Sequence, residues 1–351
     1  MDASAETVSN RLLAWYDAHG RSLPWRSPPG TPPPDPYRVW LSEVMLQQTT
    51  TAAVAPYYTR FLTRWPSVQA LAGADDAEVM AAWAGLGYYA RARNLLACAR
   101  EVAARGGRFP DTEAELRALP GLGAYTAAAV AAIAFGRRAA VVDANVERVA
   151  ARLYALADPL PQGRAAIRAR VEALTPHARP GDFAQAMMDL GATLCTPRAP
   201  RCAACPVSDL CAGRRAGAER FPVKAARKAR PVRQGQAYWI VRDGSVWLVT
   251  RAARGMLGGM RALPDDGWAA GADGSAVAPL AGPWTGAGTV RHSFSHFDLE
   301  LQLMLYSGDD CPRLDATGEW WPLDRLDCAG LPTLFVKAAR LALAQAADLG
   351  E

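Results

Sequence analysis

The segment LPGLGAYTAAAVAAIAFGRRAAVVDAN, residues 119–145, decides the fold of this chain. Its opening LPGLG does not favour a helix, whereas the alanine-rich run from Ala127 onward strongly favours one. We therefore predict a glycine hairpin followed by a helix that begins near Tyr125. Gly121 and Gly123 let backbone N–H groups approach an anion, and a helix N-terminus adds partial positive charge. The unit suits one phosphate of a nucleic-acid backbone, although an ordinary turn between helices would carry the same glycines.

The composition is that of a folded and only mildly basic protein. Half of the 351 residues are hydrophobic and the formal net charge is +5, a length and composition typical of about two domains. This charge fits a nucleic-acid binder without requiring one. The sequence contains neither an apolar run long enough for a membrane span nor a secretory signal pattern. We therefore expect a cytoplasmic, nucleoid-associated protein.

Helical periodicity dominates the first two hundred or so residues. We predict helices over residues 7–19, from residue 37, and over residues 56–65, 75–84, 164–174 and 182–190. Six prolines between Pro28 and Pro36 prevent regular structure between the first two helices. Arg26 stands at the entrance to this proline-rich loop.

The helix that starts at Tyr37 places a carboxylic acid among apolar residues. In YRVWLSEVMLQQT almost no polar face surrounds Glu43. Desolvation raises the pKa of a carboxyl group in such surroundings, so that it can stay protonated near neutral pH and act as a general acid. A solvated or structurally paired glutamate is the alternative, because Ser42 and Gln47 mark a narrow polar stripe.

Two polar or aromatic loops follow in the sequence. Residues 47–51, QQTTT, supply amides and hydroxyls that can read base edges or bind phosphates, among them Gln48 and Thr49. Residues 85–89, GLGYY, form a tight loop with Leu86 and Tyr88, followed by arginines. Apolar wedges beside cations are suited to unstacking a base step. A turn whose aromatic side chains pack inward is the alternative.

Four cysteines lie close together in the sequence. Cys195, Cys202, Cys205 and Cys211 have the spacing C-x6-C-x2-C-x5-C. Four thiolates at this spacing can hold either a zinc ion or an iron-sulfur cluster, and composition does not separate the two. The other cysteines, Cys98, Cys311 and Cys328, are predicted to be buried thiols.

The pattern changes after a basic segment. Residues 214–234 are predicted to be a linker that follows DNA, because they contain eight basic residues and one acid. Alternation then predicts a hairpin of residues 237–241 and 245–250, a strand around residues 299–305, and a closing helix over residues 332–349.

The combination of motifs resembles the adenine DNA glycosylase (MutY) family of the endonuclease III superfamily. The matching strings are WLSEVMLQQT, GLGYYARARNL, LPGLGAYTA, VVDANVERV, FAQAMMDLGA, the four cysteines and HSFSH. The resemblance implies a mainly α helix-hairpin-helix glycosylase domain with an iron-sulfur loop (1–213), the linker (214–234), and a smaller α+β MutT-like, Nudix-fold domain (235–351). That second domain lacks the acidic Nudix helix, so we expect recognition there rather than hydrolysis.

The resemblance also implies an activity and a cofactor. The expected activity is hydrolysis of the N-glycosidic bond of adenine opposite 8-oxoguanine or guanine in double-stranded DNA, after the adenine is flipped out. The cysteines would hold a 4Fe-4S cluster, and we expect a monomer. A superfamily member that nicks DNA carries lysine before the hairpin threonine, whereas this chain has Tyr125 before Thr126. A monofunctional enzyme is therefore implied.

Individual roles follow from the matched positions. Glu43 would protonate adenine N7, and Asp143 would stabilise the oxocarbenium-like sugar. The resemblance implies that Tyr125 and Asn145 position the reacting groups and that Arg26 and Gln185 surround the extruded adenine. It implies that the DNA duplex is entered by Gln48, Thr49, Leu86 and Tyr88 and that its backbone is bound by Gly121, Gly123 and Thr126. It also implies that 8-oxoguanine is read by Phe294, Ser295 and His296. Two alternatives stay open: a glycosylase for another mismatch, such as thymine opposite guanine, and a DNA-binding or redox-sensing iron-sulfur protein without catalysis.

Overall fold

The computed structural model describes residues 3–225, 229–252, 255–308, 314 and 318–348. The chain separates into two compact units, Met1–Arg227 and Lys228–Glu351. In the described part of the chain, no helix is both long enough and apolar enough to cross a membrane.

The first unit is helical. Its helices are α1 (Ala3–His19), α2 (Pro36–Leu46), α3 (Thr51–Arg64), α4 (Val68–Ala72), α5 (Asp76–Trp83), α6 (Ala90–Ala104), α7 (Glu113–Arg117), α8 (Ala124–Phe135), α9 (Ala144–Leu153), α10 (Arg164–Leu174), α11 (Pro180–Thr193) and α12 (Ala212–Ala216), with short 3-10 turns at Cys202–Ala204 and Ala218–Arg220.

Helix α8 lies at the centre of the first unit. Every residue from Thr126 to Ala134 is buried, as expected for a helix that is apolar on all sides. Small residues let its neighbours approach closely: a Cβ atom on Gly181 of α11 would lie 2.6 Å from the carbonyl oxygen of Ala132. The predicted hairpin and helix start are confirmed to within one residue, since α8 begins at Ala124.

The predicted helices of this unit are present, with some ends displaced. Helix α3 begins five residues before the predicted Pro56, because Thr50 caps it by accepting a hydrogen bond from Ala53 N. The segment predicted to be a linker lies against the first unit as far as Lys224. Phe221 is buried in its core, and Lys224 pairs with Leu160 in a β-bridge.

The second unit is a small α+β domain. Its strands are β1 (Val232–Trp239), β2 (Val241–Arg242), β3 (Ser245–Thr250), β4 (Arg261–Ala262), β5 (Trp284–Ser293), β6 (Asp298–Tyr306) and β7 (Gly318–Pro322), followed by a 3-10 turn (Leu323–Cys328) and helix α13 (Thr333–Asp348). One sheet has the order β1-β6-β5, and the other joins β2, β4 and β7 to β3. Helix α13 packs against the first sheet.

The predicted hairpin of residues 237–241 and 245–250 is wrong for most of its first strand. The turn itself is correct, because Asp243 and Gly244 both have positive φ angles, 48° and 70°, as a two-residue hairpin turn requires. Of the residues before this turn, however, only Val241 and Arg242 pair with β3. Strand β1 runs parallel to β6 instead, a long-range pairing that local alternation does not reveal.

Candidate active site

A cleft of about 980 Å³ opens in the first unit and gathers side chains from distant parts of the sequence. The residues predicted to be functional that line it are Arg26, Glu43, Gln48, Thr49, Gly121, Gly123, Tyr125, Thr126, Asp143, Asn145 and Gln185. They come from the loop after α1, from α2 and the loop after it, from the hairpin and start of α8, from the start of α9, and from α11. The cleft therefore forms where the ends of these helices meet.

Glu43 lies in the last turns of α2 and is only 5% exposed. Burial raises the pKa of its carboxyl group to about 7, and the charge of Asp143 adds to this rise. A hydrogen bond from Tyr125 and the charge of Arg26 act in the opposite direction. Glu43 is therefore substantially protonated at neutral pH, as the apolar sequence around it predicts.

Tyr125 fixes the orientation of this carboxyl group. Its hydroxyl donates a hydrogen bond to Glu43 Oε2 at 2.8 Å. Burial raises the pKa of Tyr125 well above its usual value, and the neighbouring carboxylates raise it further. The phenol thus remains a hydrogen-bond donor near neutral pH.

Asp143 is both the N-cap of α9 and a wall of the cleft. Its Oδ1 accepts a hydrogen bond from Val146 N at 2.7 Å, and its Oδ2 accepts one from Asn145 Nδ2 at 2.9 Å. Both bonds fix the orientation of the carboxyl group at the start of α9. Asn145 is held in turn by Arg148, whose Nη2 donates to Asn145 Oδ1 at 2.9 Å. The cleft therefore contains Glu43, an acid of raised pKa, and near it a second carboxyl group held by two hydrogen bonds.

A buried ion-pair network holds Arg26 next to this pair. Asp189 on α11 is completely buried and accepts hydrogen bonds from Arg26 Nη1 at 2.7 Å and from Arg21 Nε at 2.7 Å. Burial alone would lower the pKa of Arg26, but the bond to Asp189 and its charge outweigh this effect. Sequence reasoning missed Asp189, for which an acid inside the apolar string FAQAMMDLGA was the available signal. Gln185, one turn earlier on α11, is also buried.

The two loops predicted to enter DNA have unusual backbones. Gln48 and Tyr88 have left-handed φ angles of 58° and 50°, which cost energy for residues other than glycine and are enriched at functional sites. Tyr88 is 53% exposed. Leu86 is different: it is only 6% exposed and lies beneath its loop. In this conformation the side chain of Leu86 packs inward, and its role as a wedge stays a prediction.

The hairpin before α8 contains one glycine that its geometry requires. Gly121 has a φ angle of 75°, and a Cβ atom there would lie 2.6 Å from Asn94 Cβ. Gly121 and Gly123 are both exposed. Thr126 is not: it is 2% exposed and its hydroxyl accepts a hydrogen bond from Gln47 Nε2 at 3.0 Å. The side chain of Thr126 is thus bonded within the protein, and its contact with the DNA backbone stays a prediction.

The four cysteines after α11 form one group of thiols. None of the cysteines in the described residues forms a disulfide. Burial raises the pKa of Cys205 to about 11, and the other three cysteines raise it further because they lie near enough to interact. Arg152 donates from Nη1 to Cys195 Sγ at 3.3 Å, and Arg148 donates from Nε to the carbonyl oxygen of Cys195 at 2.8 Å. A donor set of four thiols beside two cations fits an anionic iron-sulfur cluster.

Among the described residues, no three His, Cys, Asp or Glu side chains are arranged to hold one metal ion. The remaining cysteines differ from the prediction in part. Cys98 is buried as predicted, Cys328 is exposed, and Cys311 lies outside the described residues.

The loop between β5 and β6 carries the predicted recognition residues of the second unit. Phe294 packs against His292, Phe297 and Trp268, with ring centroids 4.6 to 5.7 Å apart. Ser295 and His296 are exposed at the tip of this loop. The aromatic cluster thus fixes the base of the loop and leaves its polar tip accessible.

Three segments of the chain match known protein families. Residues 41–176 match the HhH-GPD superfamily of base excision DNA repair proteins, and residues 195–211 match the iron-sulfur binding domain of endonuclease III. Residues 236–341 match the NUDIX domain. The predicted mainly helical fold with an iron-sulfur loop and a Nudix-like domain is therefore confirmed.

Similar proteins extend the comparison. The human adenine DNA glycosylase is 35% identical over 97% of this chain and 74% of its own length. The Mycobacterium tuberculosis (strain ATCC 25618 / H37Rv) adenine DNA glycosylase is 44% identical over 65% of this chain and 72% of its own length. The mouse enzyme is 47% identical, but over 60% of this chain and 42% of its own length. Among solved structures, a thermostable thymine-DNA glycosylase superposes with a TM-score of 0.54 at 32% identity, covering 61% of this chain and 97% of that one.

Proposed function

Because this chain belongs to the family of adenine DNA glycosylases, which act in base excision DNA repair, we propose that it removes adenine paired with 8-oxoguanine or guanine. The enzyme is a hydrolase of N-glycosyl bonds that carries a 4Fe-4S cluster. We also propose that adenine is extruded from the duplex, that the hydrolysis is monofunctional, and that residues of the cleft carry out the reaction.

The observation that carries the proposal is the pairing of Glu43 and Asp143 in one cleft. Adenine leaves poorly from deoxyribose until a ring nitrogen is protonated. Glu43, whose pKa is about 7, supplies that proton to N7 at neutral pH. As the glycosidic bond lengthens, the sugar becomes oxocarbenium-like, and the carboxylate of Asp143 stabilises the positive charge. Water then completes the hydrolysis and leaves an abasic site.

The other cleft residues orient the reacting groups. Tyr125 holds the carboxyl group of Glu43 through its 2.8 Å hydrogen bond. Asn145 holds Asp143, and Arg26 and Gln185 contact the extruded adenine. Tyr125 cannot form the imine through which a lysine would nick the strand, so the proposal includes no strand cleavage.

The two loops that contain the left-handed residues distort the DNA. Gln48 and Tyr88 enter the duplex, and Gly121 and Gly123 bring backbone amides to a phosphate. A flipped base costs a few kcal/mol of unstacking and unpairing, which such contacts offset. In the second unit, Phe294, Ser295 and His296 read the base opposite adenine. The protein acts as a monomer.

The cluster is held by Cys195, Cys202, Cys205 and Cys211. The four thiolates would bind the iron atoms of the cluster, which would cross-link the loop. Arg148 and Arg152 offset its negative charge and also tie the loop to α9, the helix that Asp143 caps.

Release of adenine from a defined duplex tests this proposal. A duplex with adenine opposite 8-oxoguanine is incubated with excess enzyme and then treated with hot alkali, which cleaves at abasic sites. We expect cleavage only after alkali, none from a duplex with adenine opposite thymine, and none with Glu43→Gln. Undiminished release by Glu43→Gln would refute the assigned acid, and nicking without alkali would refute the monofunctional reaction.

A further inference from the structure

Arg91, the second residue of α6, is a buried cation that the reaction described above does not use. It is 8% exposed, and burial lowers the pKa of its guanidinium group. Within residues 3–225 and the other described ranges, no carboxylate forms an ion pair with it. Its charge must therefore be compensated by other groups, because an isolated buried charge is strongly unfavourable.

One compensating group is the end of the helix that carries Glu43. Arg91 Nη1 donates to the carbonyl oxygens of Val44 at 3.2 Å and Met45 at 2.7 Å. These carbonyls belong to the last turn of α2, where such groups lack partners within the helix and carry partial negative charge. Arg91 thus caps α2 immediately after its acid.

The other half of the guanidinium group contacts both loops of the proposed DNA interface. Arg91 Nη2 donates to Thr49 Oγ1 at 3.0 Å, next to Gln48, and to the carbonyl oxygens of Leu86 at 3.1 Å and Gly87 at 3.2 Å, next to Tyr88. The guanidinium carbon also lies 5.4 Å from the ring centroid of Tyr88. A single side chain therefore joins the two loops that contain left-handed residues.

We propose that Arg91 is a positioning residue that fastens the Gln48 and Tyr88 loops to the end of the helix carrying Glu43. It fixes the position of Gln48 and Tyr88, which distort the DNA, relative to Glu43, which protonates the base. This inference rests on the proposed function, because it assumes that the loops enter DNA and that Glu43 is the acid. A lysine would not replace Arg91, since a single ammonium group cannot span acceptors on three segments.

A double-mutant cycle tests the coupling. Single-turnover adenine release is measured for Arg91→Met in the otherwise unchanged protein and in the Gln48→Ala/Tyr88→Ala protein, each with its own parent. If Arg91 acts through the loops, Arg91→Met should lower the rate of adenine release about tenfold or more in the otherwise unchanged protein. In the Gln48→Ala/Tyr88→Ala protein, the fold-reduction in rate should be at least about threefold smaller. Losses that agree within threefold in the two backgrounds would overturn the proposal. An unmodified protein that releases no adenine would instead refute the proposed function.

Arg100→Met is the matched control. Arg100 lies on the same helix and also donates to carbonyl oxygens of a neighbouring segment, those of Ala72 and Ala74, but it contacts neither loop. We expect its substitution to leave adenine release unchanged. A loss equal to that of Arg91→Met would overturn the proposal, because the effect would then be a general one of α6.

Hydrogen exchange in the absence of DNA gives a readout that does not depend on activity. The amides of Thr49 and Leu86 are hydrogen-bonded to the carbonyl oxygens of Leu46 and Trp83. In Arg91→Lys, which retains the charge and is the milder change for folding, both amides should exchange at least about tenfold faster, while those at the centre of α8 keep their protection. Unchanged exchange at both amides, or equal acceleration throughout the unit, would overturn the proposal.

Discussion

Burial of the Glu43 carboxyl group affects the stability of the fold as well as the protonation of this residue. The same desolvation that keeps its carboxyl group protonated near pH 7 makes its ionised form costly for the fold. At pH values between 4.5, the ordinary pKa of glutamate, and about 7, the folded protein keeps the proton of Glu43, whereas the unfolded chain has lost it. The stabilising contribution is therefore complete below 4.5 and is lost as the pH rises through 7.

Glu43→Gln should consequently raise the thermal unfolding temperature of the protein more at pH 8 than at pH 5. The amide keeps the shape of the side chain and has no ionised form, so it avoids the cost that the glutamate bears at high pH. Thermal unfolding followed by circular dichroism at the two pH values measures the difference. A gain that does not depend on pH would contradict the raised pKa.

Asp189 is the residue on which the cleft arginines depend. Asp189→Asn should destabilise the protein by about 3 kcal/mol and slow adenine release, because removing one member of a buried ion pair leaves the other charge uncompensated. Urea unfolding and single-turnover release provide the measurements. Asp182→Asn, on the same helix but paired with the more exposed Arg179, is the matched control and should cost much less; equal costs would show that Asp189 has no special role.

The sequence allowed the individual groups of the cleft to be predicted better than their supports. The apolar string around Glu43 indicated its raised pKa, whereas Asp143 was singled out by the family resemblance, since an aspartate at a helix start is also an ordinary N-cap. Asp189 accepts a hydrogen bond from Arg26, 163 positions away, and Arg91 donates one to Met45, 46 positions away. Such distant partners become visible only when the helices are packed together. The burial of Leu86 and Thr126 was missed for the same reason.

At the scale of elements, the hairpin before α8 depends on one backbone conformation. Gly121→Ala should destabilise the first unit by about 1 to 3 kcal/mol, because alanine is strained at a φ angle of 75° and its Cβ would collide with Asn94. Gly123→Ala is the control, since a Cβ there meets no atom within 4 Å. Equal unfolding temperatures for the two variants would show that the hairpin tolerates the added atom.

The cysteine loop is the second element whose shape needs support. Cys211→Ser should lower the iron content from about four per chain and weaken DNA binding in parallel, because three thiolates no longer fix the loop. Iron analysis and DNA binding measured on the same preparation would check this. Normal DNA affinity in an iron-free protein would show that the cluster does not shape the DNA-binding surface.

The strand order of the second unit could not be predicted from local sequence patterns. The turn at Asp243 and Gly244 and the strand at Asp298–Tyr306 follow from residue types and alternation. The parallel pairing of β1 with β6 joins segments about sixty residues apart. Local alternation carries no information about such a partner.

In the whole molecule, we propose that the first unit releases adenine and the second recognises the opposing base. Truncation before Gly235 should leave an enzyme that releases adenine slowly and has lost most of its preference for the 8-oxoguanine pair over the guanine pair. In the intact chain, Ser295→Ala combined with His296→Ala should narrow that preference by about tenfold, since each hydrogen bond to a base contributes roughly 1 to 3 kcal/mol. Competition between the two duplexes measures the ratio, and an unchanged ratio in both proteins would assign recognition to the first unit.

The central claim is that the buried carboxylic acid of Glu43 delivers the proton that releases adenine. Its most direct test is the single-turnover rate of adenine release by the intact protein as a function of pH, from a duplex with adenine opposite 8-oxoguanine. The rate should fall as the pH rises above about 7, approaching tenfold per pH unit, because the acid becomes ionised. A rate that stays constant between pH 6 and roughly pH 9 would contradict the claim.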